Sequence, residues 1–248
     1  MAAPKFHEVF SPTTGSIIRI DEAGRMTDPK FHEVFSPTIM ETTVSNKFLN
    51  IINETSDGVL SDKKKSIKYD WSHKLVGKVH KEVQVPIIDK EEREYCLTAL
   101  KQACLDYLNF IISKNRAYNW GKIAGDDFNS PSLKNIHLSQ SWVVSQYKHE
   151  YNPWHTHSGD FSAVIYLKIP DDMENHFEEE KKDHYPASGL IDFKFSEKLD
   201  MRSDTFMVHP KVGMFLVFPS WLNHSVYPFY CEGERRSMSF NANMVSTP

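Results

Sequence analysis

The sequence predicts a mainly β protein with flanking helices, in which one long helix leads into a sandwich or barrel of short strands. Three observations predict it. From Leu133 onward, short β-type runs such as "HLSQSWVVSQY", "FSAVIYLKI" and "GMFLVFP" follow one another with Gly, Pro, Asn and Asp between them, the pattern of an all-β unit. Ahead of them, "DKEEREYCLTALKQACLDYLNFIISKN" repeats apolar residues every three or four positions, the period of a helix with one buried face. The chain has 248 residues, 40% of them hydrophobic, enough for one sizeable core or one core with an N-terminal appendage.

Residues 1–65 are expected to form that appendage. "PKFHEVFSPT" occurs at residues 4–13 and again, unchanged, at 29–38. Identity over ten residues fits a recent duplication, an upstream start or a cloning scar better than a solenoid, which needs three or more diverged units. The arm, possessing short strands at most, is a candidate for contacts between copies of the chain or within an assembly. Lys63, Lys64 and Lys65 read as a solvated loop.

The helix is expected over about 89–114. Asp89 and Glu92 stand at capping-box spacing, and Leu97, Leu100, Cys104, Leu108 and Ile111 form the stripe that would pack on the outside of a sheet. Strands follow over about 137–245, closing with "GLIDFKF", "TFMVHP", "HSVYPFY" and "RRSMSFNANM". "PDDMENHFEEEKKDHYPASG", residues 170–189, is too charged for a strand and reads as a surface loop or a lid over a pocket.

Composition narrows the function. A net charge of −4 and a pI near 6.3 give no basic field, so no nucleic-acid partner is evident. Cys96, Cys104 and Cys231 are odd in number and imply neither a disulfide framework nor a zinc knuckle. The N-terminus lacks a basic segment followed by an apolar one, and nowhere do 18 apolar residues run together, so neither secretion nor membrane insertion is indicated and a cytoplasmic location is expected.

Chemistry concentrates in three places. "NPWHTHSGD" puts His155 and His157 one residue apart where a strand begins; "GMFLVFPSWLNHSV" puts His224 after an apolar strand; Arg235 opens the last strand. An H-x-H pair alone carries little weight. In an extended strand, however, residues i and i+2 point to the same side, so His155 and His157 can hold one metal together. By the same alternation Arg235 shares its face with Ser237, Ser239 and Asn241, whereas Arg236 shares its own with Met238 and Phe240, which look like packing residues. Arg235 therefore faces the polar side.

The ordered series "NPWHTHSG", "SAVIYL", "FPSWLNHSV" and "RRSMSFN" resembles the Fe(II)/2-oxoglutarate-dependent oxygenases, most closely a prolyl-hydroxylase-like group found in bacteria and bacteriophages. The resemblance spans Gln140 to Met244, about two fifths of the chain. It implies a double-stranded β-helix, a jelly-roll or cupin-like barrel, within a domain running from residue 66 to 248. It also implies Fe(II), 2-oxoglutarate as co-substrate and O₂, with ascorbate supportive. Such an enzyme, a dioxygenase and by analogy a hydroxylase, couples decarboxylation of 2-oxoglutarate to succinate with oxidation of a small molecule or protein side chain, in the host cytoplasm if phage-encoded.

The resemblance makes His155 the first iron ligand and His224 the distal one. His157 falls where most of the superfamily has a carboxylate, so a three-histidine site is expected, with Asp160 as the reserve ligand; the commoner site is a facial triad of two histidines and one carboxylate. Arg235 takes the position that holds the far carboxylate of 2-oxoglutarate, a task that suits a bidentate guanidinium. Tyr166 resembles the tyrosine that hydrogen-bonds the same carboxylate, Ser237 shares the face of Arg235, and Ser162 shares that of Tyr166. Trp154 and Trp221 flank the ligands and are expected to wall the site.

Two other readings fit parts of the pattern. Gly213, Pro219 and His224 match much of the second cupin motif, but the first cupin motif wants a glutamate where this chain has Asp160, Phe161 and Ser162, and Arg235 would lack a task. A non-catalytic binding or virion-associated protein could keep the same barrel as a scaffold, although intact His155, His157, His224 and Arg235 argue against decay.

Overall fold

A computed structural model describes residues 6–10, 17–21, 30–33, 37–74, 77–114, 131–171, 173, 187–197 and 203–245. Two antiparallel sheets dominate them. The larger runs in the order β3 (Lys30–Glu33), β4 (Thr38–Thr43), β11 (Met214–Pro219), β8 (Phe161–Lys168), β13 (Arg235–Met244), β6 (Ile136–Gln146) and β5 (Lys81–Val83). The smaller runs β10 (Thr205–Val208), β9 (Ile191–Lys194), β12 (Asn223–Val226) and β7 (Asn152–His155). From β6 to β13 the chain crosses repeatedly between the sheets, so that β11-β8-β13-β6 faces β10-β9-β12-β7. This is the double-stranded β-helix expected from the sequence.

Strand alternation divides the interior in two. Phe161, Ala163, Ile165 and Leu167 of β8, Phe215 and Val217 of β11, and Met238, Phe240 and Ala242 of β13 point outward to the helices. Val164 and Tyr166 of β8, and Met214, Leu216 and Phe218 of β11, point inward and meet Ile191, Phe193 and Val226 of the smaller sheet. The central strands are therefore buried on both faces, and each fully buried aromatic or aliphatic side chain contributes roughly 1.5–3 kcal/mol.

Helix α3 (Lys90–Ser113) covers the outer face through Cys96, Leu100, Ala103, Cys104, Tyr107 and Leu108. Its cap is the expected one, Asp89 Oδ1 accepting from the Glu92 N–H at 2.9 Å. The stripe is turned slightly from the expected one: Cys96, not Leu97, lies in the core, and Tyr107 adds a hydrogen bond from its hydroxyl to the Thr38 carbonyl at 3.0 Å. All three cysteines are buried and none is in a disulfide; burial pushes the Cys96 thiol up to about 12.

The boundary expected near residue 65 does not mark the edge of the barrel. β4 pairs along β11, from Met214↔Thr43 to Val217↔Met40, and α1 (Asn46–Leu60) packs Phe48, Ile51, Ile52 and Val59 into the same outer core as α3. Ser45 caps α1, accepting from the Phe48 N–H at 3.1 Å. Residues 38–60 are thus built into the fold. The two copies of the repeat both contain strands, in different places: β1 (Phe6–Phe10) pairs with β2 (Ile17–Asp21), while β3 lies against β4. Lys63–Lys68 is a short exposed helix, α2, capped by Asp62, and not a loop. The charged insertion lies, at residues 172 and 174–186, outside the described residues. No described helix is long and apolar enough to cross a membrane.

Candidate functional site

His155 ends β7 and His224 lies on its neighbour β12, where the two are direct cross-strand partners. Their rings are 4.3 Å apart between centroids, and His157 completes a triangle with 5.0 Å to each. One ligand nitrogen from each ring lies within 4.8 Å of the others, a set able to hold a metal ion. The Nδ1 of His155 is 2.7 Å from the Pro153 carbonyl and that of His224 is 2.9 Å from the Leu222 carbonyl. Each Nδ1–H thereby has its acceptor, and Nε2 keeps a free lone pair.

His157 reaches the triangle by a different route from the one strand alternation suggests. β7 stops at His155, and residues 156–160 form a loop. That loop is clamped from both sides: the His157 N–H donates to the Ser220 carbonyl at 2.9 Å, the Asp160 N–H to the Ala242 carbonyl at 2.9 Å, and the Ser220 N–H to the Asp160 carbonyl at 3.2 Å. The Ser220 hydroxyl also donates to the Gly159 carbonyl. Gly159 has φ +93°, and a Cβ there would stand 2.9 Å from the Ala242 carbonyl oxygen, so the turn that presents His157 needs glycine.

Asp160 is not in the triangle. Its carboxylate accepts from the Met244 N–H at 2.8 Å and ties the loop to the end of β13, so the reserve ligand has a structural task. Trp154 and Trp221 do not wall the site either: they are 42% and 52% exposed. Trp154 precedes His155 on β7 and so points to the opposite face. The walls are Trp142, 5.5 Å from the His157 ring, with Phe218 and Phe193 at 5.0 and 5.8 Å from His224.

These aromatic neighbours keep the histidines dry and uncharged. Burial lowers His155, takes His157 down to about 4 with the His155 ring adding to it, and holds His224 well below the ordinary range. Three neutral imidazoles at neutral pH present lone pairs, the form a divalent metal binds.

Arg235 lines the same cavity as the three histidines, together with Tyr166, Ser237 and Ser239, as its strand face predicts. It is 2% exposed. One of its nitrogens, Nη1, donates to Gln146 Oε1 at 2.5 Å; Nε and Nη2 are buried without a partner. The guanidinium stands 5.1 Å from the Tyr166 ring. Burial drives the Tyr166 phenol up to about 12 against the pull of Arg235, and the hydroxyl, itself fully buried, makes no well-formed hydrogen bond. Ser162 lies beneath, donating to Asn241 Oδ1 at 3.1 Å. Two guanidinium donors and a phenol converge, near enough for the phenol oxygen to attract the guanidinium but with no anionic acceptor, and such groups are costly to bury unless something answers them. An anion with a flat carboxylate fits.

Sequence reasoning missed Trp142, Phe193 and Phe218 as walls, Gln146 as the support of Arg235, and Glu82, which lines the cavity from β5. The aromatics were visible only as strand residues, and nothing in the sequence places Glu82 near Arg235.

Residues 140–241 match the family model described as "Putative 2OG-Fe(II) oxygenase". No curated protein matches the sequence. Among solved structures the chain is similar to a 2OG-Fe(II) oxygenase family oxidoreductase from Burkholderia pseudomallei, at 13% identity over 86% of this chain and 71% of that one, TM-score 0.35. It is also similar to a prolyl-4-hydroxylase from Pseudomonas putida, at 15% identity over 81% and 88%, TM-score 0.42. A third is a prolyl hydroxylase from Trichoplax adhaerens in complex with a hypoxia inducible factor peptide fragment, at 13% identity over 82% and 80%, TM-score 0.45. The assignment rests on the family match and the site and not on these likenesses. The family match spans the strands from β6 into β13.

Proposed function

We propose that His155, His157 and His224 ligate Fe(II), that Arg235 binds the far carboxylate of 2-oxoglutarate with Tyr166 and Ser237 beside it, and that the protein hydroxylates an unidentified substrate. The observation that carries the reading is the pair of unpartnered Arg235 donors, Nε and Nη2, in one cavity with three neutral histidines. Bound iron with O₂ and 2-oxoglutarate supplies the oxidation, releasing succinate and CO₂.

The chain's own residues do the rest. The Pro153 and Leu222 carbonyls fix the tautomers of His155 and His224; the clamped loop fixes His157; Gln146 orients Arg235 so that its remaining donors face the cavity. Trp142, Phe193 and Phe218 exclude water on the ligand side, which strengthens every charge interaction within.

The test is incubation of the protein under air with Fe(II), ascorbate and labelled 2-oxoglutarate, with succinate counted in the presence and absence of candidate substrates. Succinate should form, and His224→Ala and Arg235→Ala should reduce it to background. Equal succinate from the wild type and both variants would contradict the assignment.

A further inference from the structure

The cavity holds a second buried charge that neither the metal nor 2-oxoglutarate uses. Glu82 is 2% exposed and lines the same cavity as Arg235 and the three histidines. The register explains how it arrives there. Glu82 pairs with Val144 across β5 and β6, Val144 with Ser237 across β6 and β13, and Ser237 with Tyr166 across β13 and β8. Directly paired residues share a face, so these four side chains form one row along the cavity floor, with Glu82 at its outer end.

Glu82 has no partner. Its Oε1 is buried without a hydrogen bond, and among the described residues no ion pair reaches it. The nearest candidates are engaged: the Lys81 ammonium faces the other way and binds Asp70 at 2.8 Å, while Arg235 is turned to Gln146. Burial, with Asp70 adding to it, pushes Glu82 up to about 7.

One cavity therefore contains a buried cation without an anion and a buried carboxyl without a cation, and the two do not bond to each other. A pair kept for stability would have closed, because an unpaired buried charge is the costly arrangement. Kept apart, they serve two different ligands. We infer that Glu82 receives a cationic nitrogen, an ammonium or guanidinium, on the substrate to be oxidised, at a distance of several bonds from the carbon that reacts. The inference rests on the oxygenase reading, in which Arg235 is taken by 2-oxoglutarate and the substrate must reach the metal by the remaining part of the cavity. A cation beside Glu82 favours its ionised form.

The experiment uses the full chain under argon with Fe(II) and 2-oxoglutarate bound, titrated calorimetrically with n-alkylamines from ethyl to hexyl and with the matching n-alkanols. The best amine should bind at least tenfold more tightly than its alcohol, and Glu82→Gln should remove that margin. Equal affinity of amines and alcohols in the wild type overturns the inference without needing the variant. So does an amine preference that survives Glu82→Gln, since the amine then binds elsewhere, as on the metal. The oxygenase reading is judged separately by the wild-type titration with 2-oxoglutarate, and failure there overturns both.

Discussion

Arg235 and Arg236 are neighbours in sequence, almost equally buried, and opposite in kind. Arg236 points to the helix side of the larger sheet and is answered on every side: Nε and Nη2 make a bidentate pair with Glu234, both at 2.8 Å, and Nη1 reaches Asp57 at 2.7 Å and Ser56 at 3.0 Å. Arg235 points to the cavity side and has one partner, with two donors left over. The buried charged groups on the two faces of the sheet follow the same contrast. The outer face, under α1 and α3, is an apolar core closed by a satisfied ion pair; the inner face concentrates Glu82, Tyr166 and Arg235 with unmet polar atoms. Burial alone does not separate structure from function for these two arginines. Satisfaction does.

The contrast predicts that substitutions on the outer face cost stability and those on the inner face cost ligand binding. Arg236→Ala should have the larger effect on folding, about 1.5–3 kcal/mol in denaturant unfolding, because the charge-assisted bonds to Glu234 and Asp57 are lost while Glu234 keeps only the Ser145 hydroxyl and the Lys168 ammonium at 3.8 Å. Arg235→Ala should weaken 2-oxoglutarate by about 2–5 kcal/mol, while the ligand-free protein stays as stable as the wild type or gains, having lost a buried charge with unmet donors. If Arg235→Ala unfolds the protein as readily as Arg236→Ala, the two faces are not divided as described.

Glu82 gives the contrast a pH signature. Its folded pKa is raised above the unfolded value, so the stability it contributes is complete below about 4.5 and is lost as pH rises through about 7. Glu82→Gln should therefore gain on the wild type as pH rises across that window, by up to about 3 kcal/mol. Taking the difference between the two proteins cancels the buried histidines, whose lowered values act in the opposite direction. A difference that is flat with pH would show that Glu82 is not the unpaired acid of the cavity. The smallest effect is expected at Gly159, where alanine must adopt φ +93°: metal affinity should fall by about 1–2 kcal/mol as the turn carrying His157 is strained, with little change in overall melting.

What the sequence revealed follows the same division by distance. The strands from β6 to β13 were legible because alternation and turn residues are local signals, and α3 because its period runs over six turns. The inward face of Arg235 followed from counting along β13. α1 was legible in principle, with Ser45 as cap and Phe48, Ile51, Ile52 and Val59 at helical spacing, but the adjoining duplicated segment drew residues 38–60 into an arm. Glu82 could not be found, since its neighbours Val144 and Ser237 become neighbours only through pairing across three strands. His157 was singled out by its place in the resemblance and by strand alternation, and the second reason does not apply: it is held by Ser220 in a loop beyond the end of β7. Asp160, three residues on, stood as the reserve ligand, and its bond to the Met244 N–H gives it another task.

That last pair offers the most direct test of the central claim, that three histidines without a carboxylate form the metal site. Fe(II) and 2-oxoglutarate added to the protein without oxygen should produce the weak visible charge-transfer band of a metal-chelated 2-oxo acid. The band should persist in Asp160→Asn and disappear in His157→Ala. A band that survives His157→Ala and is lost in Asp160→Asn would contradict the three-histidine site and put the carboxylate in its place.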